Sequence, residues 1–409
     1  MGSKKSDIAT EERELTGTGQ AGGAPRRVFV TGAGPVCPVA LGIAEFSGWL
    51  WDGGLCGARA PEVKDGVARM PQFDLADFTQ TTRPYVDPNT RFALASAALA
   101  LSCSAQSTKA VDPARSGLCT ATVFGNMTSL GSFQQTVRQK GVRLASPALF
   151  PHCYANTTNS LLCIEFDLRG YNQNFCDDAL GGARSVHSAF HAIKSGLADL
   201  ILAGGVDALS DRLAEVLPLE RAVEGGPPVS EGACLLCLEN EFSILQREST
   251  AACELMSMAS RGTGLVRAPA DEAQQARLAE AIRGALSDAL RDARMWEGDL
   301  GALFVATPRS GKDLLSQAGT QALADFSQLP TFSVCSSAGD TFAAAFPFEC
   351  AAAALLLTEG ALPVPPELEK VQKGVEMWLE KASPSMLGDG VVVLGWSAAG
   401  AVAALLKAV

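Results

Sequence analysis

The sequence predicts an α/β protein whose sheets are covered by helices on both faces. Apolar runs of strand length alternate with Ala- and Leu-rich runs of helical period along most of the chain, a pattern that builds strand–helix–strand units. One stretch, Gly170 to Asp207, holds such a unit whole. Finally, 409 residues of which 47% are hydrophobic are ample for a large core or for two packed halves.

Taken in order, residues 1–25 are polar and rich in Gly, Thr and Glu, with no apolar centre for a signal peptide, and read as a disordered tail. Arg27 to Thr31 is a first strand. The Gly32-Ala-Gly34-Pro35 that follows reads as a tight turn rather than a dinucleotide loop, because Cys37 takes the third glycine position and Pro35 and Pro38 spoil a helix start. Phe46 to Leu50 is helical, Asp65 to Asp87 irregular, and Pro88 to Leu101 a helix. Ala121 to Gly125 is a strand, Asn126 to Gly141 helical in part, and Ser146 to Asn159 a loop.

Within the organising stretch, Tyr171 to Cys176 is a strand and Asp177 to Gly182 a small-residue turn. A helix with Ala183, Val186, Phe190 and Ile193 on one face runs to about Gly196, and Leu200 to Ala203 is a second strand closed by Gly204-Gly205. Val229 to Asn240 is a strand and Glu241 to Gln246 a link. The second half repeats the outline. Ala252 to Ala259 is a strand, and Glu272 to Arg294 an amphipathic helix through Leu278, Ile282, Ala285 and Ala289. Strands Ala302 to Ala306 and Phe332 to Val334, a buried helix Phe342 to Leu357, and strands Val391 to Leu394 and Ala401 to Leu406 close the chain.

Composition excludes several functions. The net charge is −11, with 44 acidic against 33 basic residues and no Lys/Arg cluster, which argues against nucleic acid and anionic membrane as partners. The longest apolar run, Thr341 to Leu357, contains Pro347 and Glu349 and falls short of a membrane span. The twelve cysteines sit mostly in apolar runs, where free thiols pack as small hydrophobes, so a cytoplasmic, reduced protein is expected. Cys234 and Cys237 have CxxC spacing, but in a strand they point to opposite faces, which suits packing rather than metal or redox work. His187 and His191 lie one turn apart with no third ligand nearby, so a polar or packing role is expected; no metal and no cofactor is expected anywhere. Ala306 to Asp313 lacks the leading glycine and the Ser/Thr of a P-loop, and Gly395 to Gly400 has one residue too many for a hydrolase elbow.

A strand, a sharp turn and a helix start make a place to hold a reactive side chain at the positive end of a helix dipole. Here the turn holds Asp178, Ala179 and Leu180, and Ala179 has no chemistry. The stretch resembles the active-site elbow of β-ketoacyl synthases, the condensing enzymes of fatty-acid and polyketide assembly. Matching on Arg169-Gly170, Gly181-Gly182 and Ala203-Gly204-Gly205 puts the family's nucleophilic cysteine position on Ala179, with Cys176 three residues early. Also similar are the Thr31-Gly32-x-Gly34 after the opening strand, Phe92-Ala93-Leu94, the LCIEFDLRG run ending at Gly170, Asn156 on the family's asparagine, and Ser230-Glu231-Gly232-Ala233. Before that last run, Gly225-Gly-Pro-Pro228 replaces a longer loop. The resemblance implies a thiolase-like five-layer α-β-α-β-α fold from two duplicated halves, here a tail at 1–25 and halves at 26–245 and 246–409.

The family's condensation uses the cysteine thiolate and two histidines that stabilise enolate and oxyanion. The chain has three histidines, His152, His187 and His191, none at the matching places. The first histidine position falls on Thr307, in the shortened turn Ala306 to Lys312, and the second on Asp340. The Gly/Phe-rich C-terminal loop has become Gly395 to Gly400, and its anchoring asparagine falls on Val402. Three losses at matched places imply an inactive family member of the chain-length-factor kind. That implies a heterodimer with an active ketosynthase subunit, and an acyl carrier protein docked mainly on that partner. It also places tunnel-gating positions at Gly131, Gln134 and Arg138, within the segment Asn126 to Arg138. The dimer strand is Tyr171, Asn172, Gln173, Asn174, Phe175 and Cys176. Aromatic-type members carry glutamine where this chain has Ala179, a departure that points to a polyene-type, highly reducing system. Two alternatives stay open: an active ketosynthase or thiolase-fold acyltransferase using Cys176, and a purely structural pseudoenzyme partner.

Overall fold

The computed structural model describes residues 25–54, 60–80, 85–104, 111–224, 226–307, 313–359 and 390–409. Residues 1–24 of the proposed tail at 1–25, and residues 308–312 of the shortened turn, lie outside them.

The first half contributes β1 (Phe29–Cys37), β2 (Ala40–Leu41), α1 (Ile43–Trp51), β3 (Val63–Lys64), β4 (Val67–Ala68), α2 (Pro88–Ser104), β5 (Ser116–Thr122), α3 (Met127–Lys140), α4 (Asn156–Glu165), β6 (Asn172–Cys176), α5 (Gly181–Lys194), β7 (Leu200–Asp207), α6 (Asp211–Glu224), β8 (Val229–Ser230), β9 (Gly232–Glu239) and α7 (Glu241–Arg247). The second contributes β10 (Cys253–Gly262), α8 (Glu272–Ala293), β11 (Leu300–Val305), α9 (Leu314–Ala322), β12 (Thr331–Phe332), α10 (Val334–Ala338), α11 (Ala345–Glu359), β13 (Gly390–Ser397) and β14 (Gly400–Lys407).

Strand order reveals a repeat that the sequence hides. Outward from β1 the order is β1-β9-β7-β5-β6, and outward from β10 it is β10-β14-β13-β11-β12. In both units the first two neighbouring pairs are antiparallel and the last two parallel. β1 and β10 join the units through only Phe29↔Glu254 and Val30↔Cys253. α5 stands between β6 and β7, α11 between β12 and β13, and these two helices pack together in the middle. α2 covers the outer face of the first unit, and α8 and α9 cover that of the second. The three largest apolar cores follow these layers: a central one around α5 and α11, and one under each outer layer. This is the five-layer, duplicated thiolase-like fold. Its one helical stretch apolar enough to cross a membrane among the described residues, Phe342–Glu359, is 78% buried and serves as the core of that centre.

Several boundaries differ from expectation, each for a reason outside the local sequence. Gly32 to Pro35 is not a turn: it continues β1, with Gly32 opposite Cys237 and Gly34 opposite Leu235. The glycines are there because α2 crosses β1 at backbone contact, where a Cβ on Gly34 would lie 1.9 Å from the Ser96 carbonyl oxygen and one on Gly32 2.2 Å from that of Ala100. The strand expected at Ala121 to Gly125 runs earlier, as β5. It stops because Asp207 collects the amides of Val123 and Phe124, and Thr122 Oγ1 accepts from Gly125 N–H at 2.8 Å. The loop expected at Ser146 to Asn159 gives way to α4 from Asn156. Its polar look misleads, because Asn159 Nδ2 donates to Thr120 Oγ1 and to the Gln173 carbonyl, and the Thr158 and Thr90 hydroxyls meet at 2.8 Å. The link at Glu241 to Gln246 is α7, started by the Asn240 side chain accepting from Ser243 N–H.

Candidate functional site

The elbow is built by its flanks. Asp178 Oδ1 accepts from Leu180 N–H at 2.9 Å, and Asp177 is paired with Arg184 one turn into α5. These contacts hold the Asp177-to-Leu180 turn at the N-terminal end of the helix, with Ala179 at its tip. α5 and β7 both close on one segment of the second half: a Cβ on Gly182 would lie 1.9 Å from the Ala343 carbonyl oxygen, and one on Gly205 2.0 Å from the same atom. Asp207 seals that contact by accepting from Ala343 N–H at 3.0 Å. Burial pushes the Asp207 carboxyl up to about 6, while the amides of Phe124 and Ala343 and the Thr122 hydroxyl pull it down.

The other walls come from the second half. Thr307 Oγ1 donates to the Trp396 carbonyl at 2.7 Å and accepts from Trp396 N–H at 2.8 Å, tying the end of β11 to β13. Asp340 is buried; its carbonyl accepts from Ser230 N–H and its Oδ1 from Phe342 N–H at 3.0 Å. Ser397 Oγ donates to Asp178 Oδ2 at 2.5 Å, across 219 residues of chain.

The fold thus brings Ala179, Thr307 and Asp340 to the wall of one cavity of about 370 Å³, with Asp178, Phe346 and Ser397 beside them. Among the described residues, no cysteine or histidine lines it. A condensing site needs a thiolate and hydrogen-bond donors aimed at developing negative charge; at Ala179, Thr307 and Asp340 the wall offers a methyl group, a hydroxyl already engaged with Trp396, and a carboxyl group.

The remaining sequence candidates fall elsewhere. Cys176 ends β6, exposed, with Asn174 Nδ2 at 3.6 Å from its sulfur, and is not in the cavity wall. Gly131, Gln134 and Arg138 lie on the exposed side of α3, and a Cβ on Gly131 would meet nothing within 4 Å. Asn172 to Cys176 form the outermost strand of the sheet, paired on one side only, to β5. Val402 lies outside the cavity, opposite Gly395 in the β13–β14 ladder. Cys234 and Cys237 are buried, and burial raises both thiols, Cys237 to about 12. Asp178, Ser397 and Asp207, which tie the walls of this cavity together, are not singled out by the sequence; the local hint is the Asp177-Asp178 pair ahead of an amphipathic helix.

Comparison with known proteins agrees with this geometry. Residues 25–216 match the family described as beta-ketoacyl synthase, N-terminal domain. A polyketide beta-ketoacyl synthase 1 of Streptomyces halstedii is 29% identical over 282 residues, 59% of this chain and 66% of that protein. A 3-oxoacyl-[acyl-carrier-protein] synthase 2 of Rhizobium meliloti is 27% identical over 198 residues, 45% of this chain and 47% of that one. The match therefore spans less than two thirds of either relative. Among solved structures, the ishigamide ketosynthase/chain length factor superposes with a TM-score of 0.78 at 18% identity, over 94% of this chain and 100% of that one. A type II PKS acyl-carrier protein in complex with its ketosynthase bound to the hexaketide superposes at 0.72, also at 18% identity and over 94% and 100%. At that identity the likeness is one of fold.

Proposed function

We propose, from the match of residues 25–216 to the β-ketoacyl synthase N-terminal domain, that this ketosynthase-like chain is a chain length factor. In this reading it is the non-catalytic partner of an active ketosynthase in a type II polyketide system, and it shapes the acyl tunnel that sets product length. The observation that supports the reading is the cavity at the elbow, whose wall brings together Ala179, Thr307 and Asp340, the positions that the resemblance matches to the family's three reactive residues. Cys176 is a poor substitute nucleophile, being exposed on an edge strand outside that cavity.

The partner surface we assign is the free edge of β6 together with the aromatic row beside it. Phe133, Phe150 and Tyr154 form a chain of ring contacts at 5.4 and 5.2 Å, and Tyr154 is 51% exposed. Ile164, 63% exposed, follows Cys163, whose sulfur accepts from Asn172 Nδ2. An exposed apolar strip running from α3 to an unpaired strand edge suits an obligate interface of roughly 2,000 Å² or more. Gly131, Gln134 and Arg138 on the same α3 would floor the partner's tunnel, and the acyl carrier protein would dock mainly on that partner. We place the division of the halves at 245/246, and keep the polyene-type, highly reducing pathway as the subtype that Ala179 favours.

The test is co-expression with the active ketosynthase, reading complex formation and condensation of acyl and malonyl groups on the carrier protein. The isolated chain and its Ala179→Cys variant both give no condensation, the latter because Thr307 and Asp340 supply no imidazole. The one-to-one complex does condense. Turnover by the isolated wild type would overturn the proposal.

A further inference from the structure

A second cleft, of about 630 Å³, opens beside β6 and away from the elbow cavity, and the rings of His187 and His191 face it. They sit one turn apart on α5 with ring centroids 4.4 Å apart, and their Nε2 atoms converge to 3.2 Å. Zinc–imidazole bonds of about 2.0–2.1 Å set two nitrogens of a tetrahedral site roughly 3.3 Å apart, whereas a square-planar site of the same bond length needs roughly 2.9 Å. The observed spacing matches the tetrahedral edge. We propose that His187 and His191 form a bidentate site for a divalent transition metal, zinc by its geometry, with water completing the coordination from the open side of the cleft.

The same two nitrogens at this distance also suit a hydrogen bond between the rings, with one Nε2 protonated. Metal binding replaces that shared proton: each ring carries its proton on Nδ1 and presents a lone pair at Nε2. A ligand pair needs both rings neutral. The charged groups facing the site are partly engaged: Arg184 is paired with Asp177, Lys194 sits over the Phe190 ring at 4.9 Å, and Asp292 is paired with Arg291. Among the described residues no group of three or more metal-ligating side chains gathers, so the protein offers two ligands and the affinity is modest. The sequence reading gave these histidines a polar or packing role because a third ligand was missing; the convergence of the Nε2 atoms is what changes that.

The experiment titrates the full, untagged chain with Zn²⁺ by calorimetry and with Co²⁺ by visible absorption. One equivalent of Zn²⁺ binds, and Co²⁺ gives ligand-field bands of tetrahedral intensity with no sulfur-to-metal charge-transfer band. His191→Gln, at an exposed position where folding is unaffected, weakens Zn²⁺ binding by at least about tenfold; His187→Gln does the same. The proposal is overturned by the absence of saturable Zn²⁺ binding at millimolar metal, by affinity unchanged in His191→Gln, or by a sulfur-to-cobalt band, which would assign the metal to cysteine.

Discussion

Substituting proline for Asn174 separates the edge strand's two sides. Leu118 N–H donates to the Tyr171 carbonyl at 2.8 Å and Asp177 N–H to the Thr122 carbonyl at 3.3 Å. In a parallel ladder alternate residues turn their backbone groups to the same neighbour, so Gln173 and Phe175 face β5 while Asn172, Asn174 and Cys176 present N–H and C=O outward. Asn174→Pro therefore removes a donor that this chain does not use and that a partner strand would. The missing bond costs about 1 kcal/mol, and a partner carbonyl left buried without a donor adds about 1–3 kcal/mol. Together, at 1.4 kcal/mol per decade, these weaken the complex by about 30- to 700-fold. Asn174→Ala is the control: it loses the Thr120 Oγ1–Asn174 Oδ1 bond of 3.0 Å but keeps the outward N–H. The assay is affinity by analytical ultracentrifugation of the purified subunits, beside thermal melts of each variant alone. Weakened assembly of the proline variant only, with the two isolated variants melting alike, is the expected result. Equal affinity of Asn174→Pro and wild type would refute the strand-edge interface.

Three further outcomes follow from the same geometry. Gly131→Trp leaves the isolated chain folded, because a Cβ at this exposed position meets nothing within 4 Å, and shortens the polyketide made by the complex; full-length product from an intact complex would move the tunnel floor elsewhere. Gly205→Ala drives a Cβ to 2.0 Å from the Ala343 carbonyl oxygen, so destabilisation reaches the top of the overpacking range, about 3 kcal/mol, read as a lower urea midpoint; an unchanged midpoint would contradict the close approach. Asp207 has a folded value raised from 3.8 to about 6, so its contribution to stability is fully present below about 3.8 and is lost as pH rises through about 6. The stability of wild type relative to Asp207→Asn accordingly grows as pH falls from 7 to 4, and a pH-independent difference would disprove the shift.

What the sequence disclosed and what it concealed divide along range. The helices α5 and α8 were readable because their apolar periodicity is local, and each begins and ends within a few residues of expectation. Gly32 and Gly34 were misread because their role answers to the backbone of α2, more than sixty residues on. The run Asn156 to Asn159 resembles a loop because the side chains of Thr158 and Asn159 are satisfied by Thr90, Thr120 and Gln173, none of them adjacent in sequence. At the site, the positions of Ala179, Thr307 and Asp340 could be marked by matching glycine frames, but their meeting at one cavity is a property of the packed halves. The Asp178–Ser397 tie and the approach of the two Nε2 atoms depend on rotamers and on tertiary distance, and no spacing rule reports either.

The elbow is held by contacts that need no reactive side chain: Gly182 and Gly205 against the Ala343 carbonyl, Asp207 on the Ala343 amide, and Thr307 on both backbone groups of Trp396. Thr307, which the resemblance matches to a reactive histidine, ties the end of β11 to β13. Asp340, matched to the second, braces Phe342 and pairs with β8 through its backbone. In the proposed reading both positions act on the fold rather than on substrate. The cavity between the halves is held by close backbone packing together with the Asp207, Thr307 and Asp178–Ser397 side-chain ties, which is what a subunit needs if its task is to present a shaped wall to a partner.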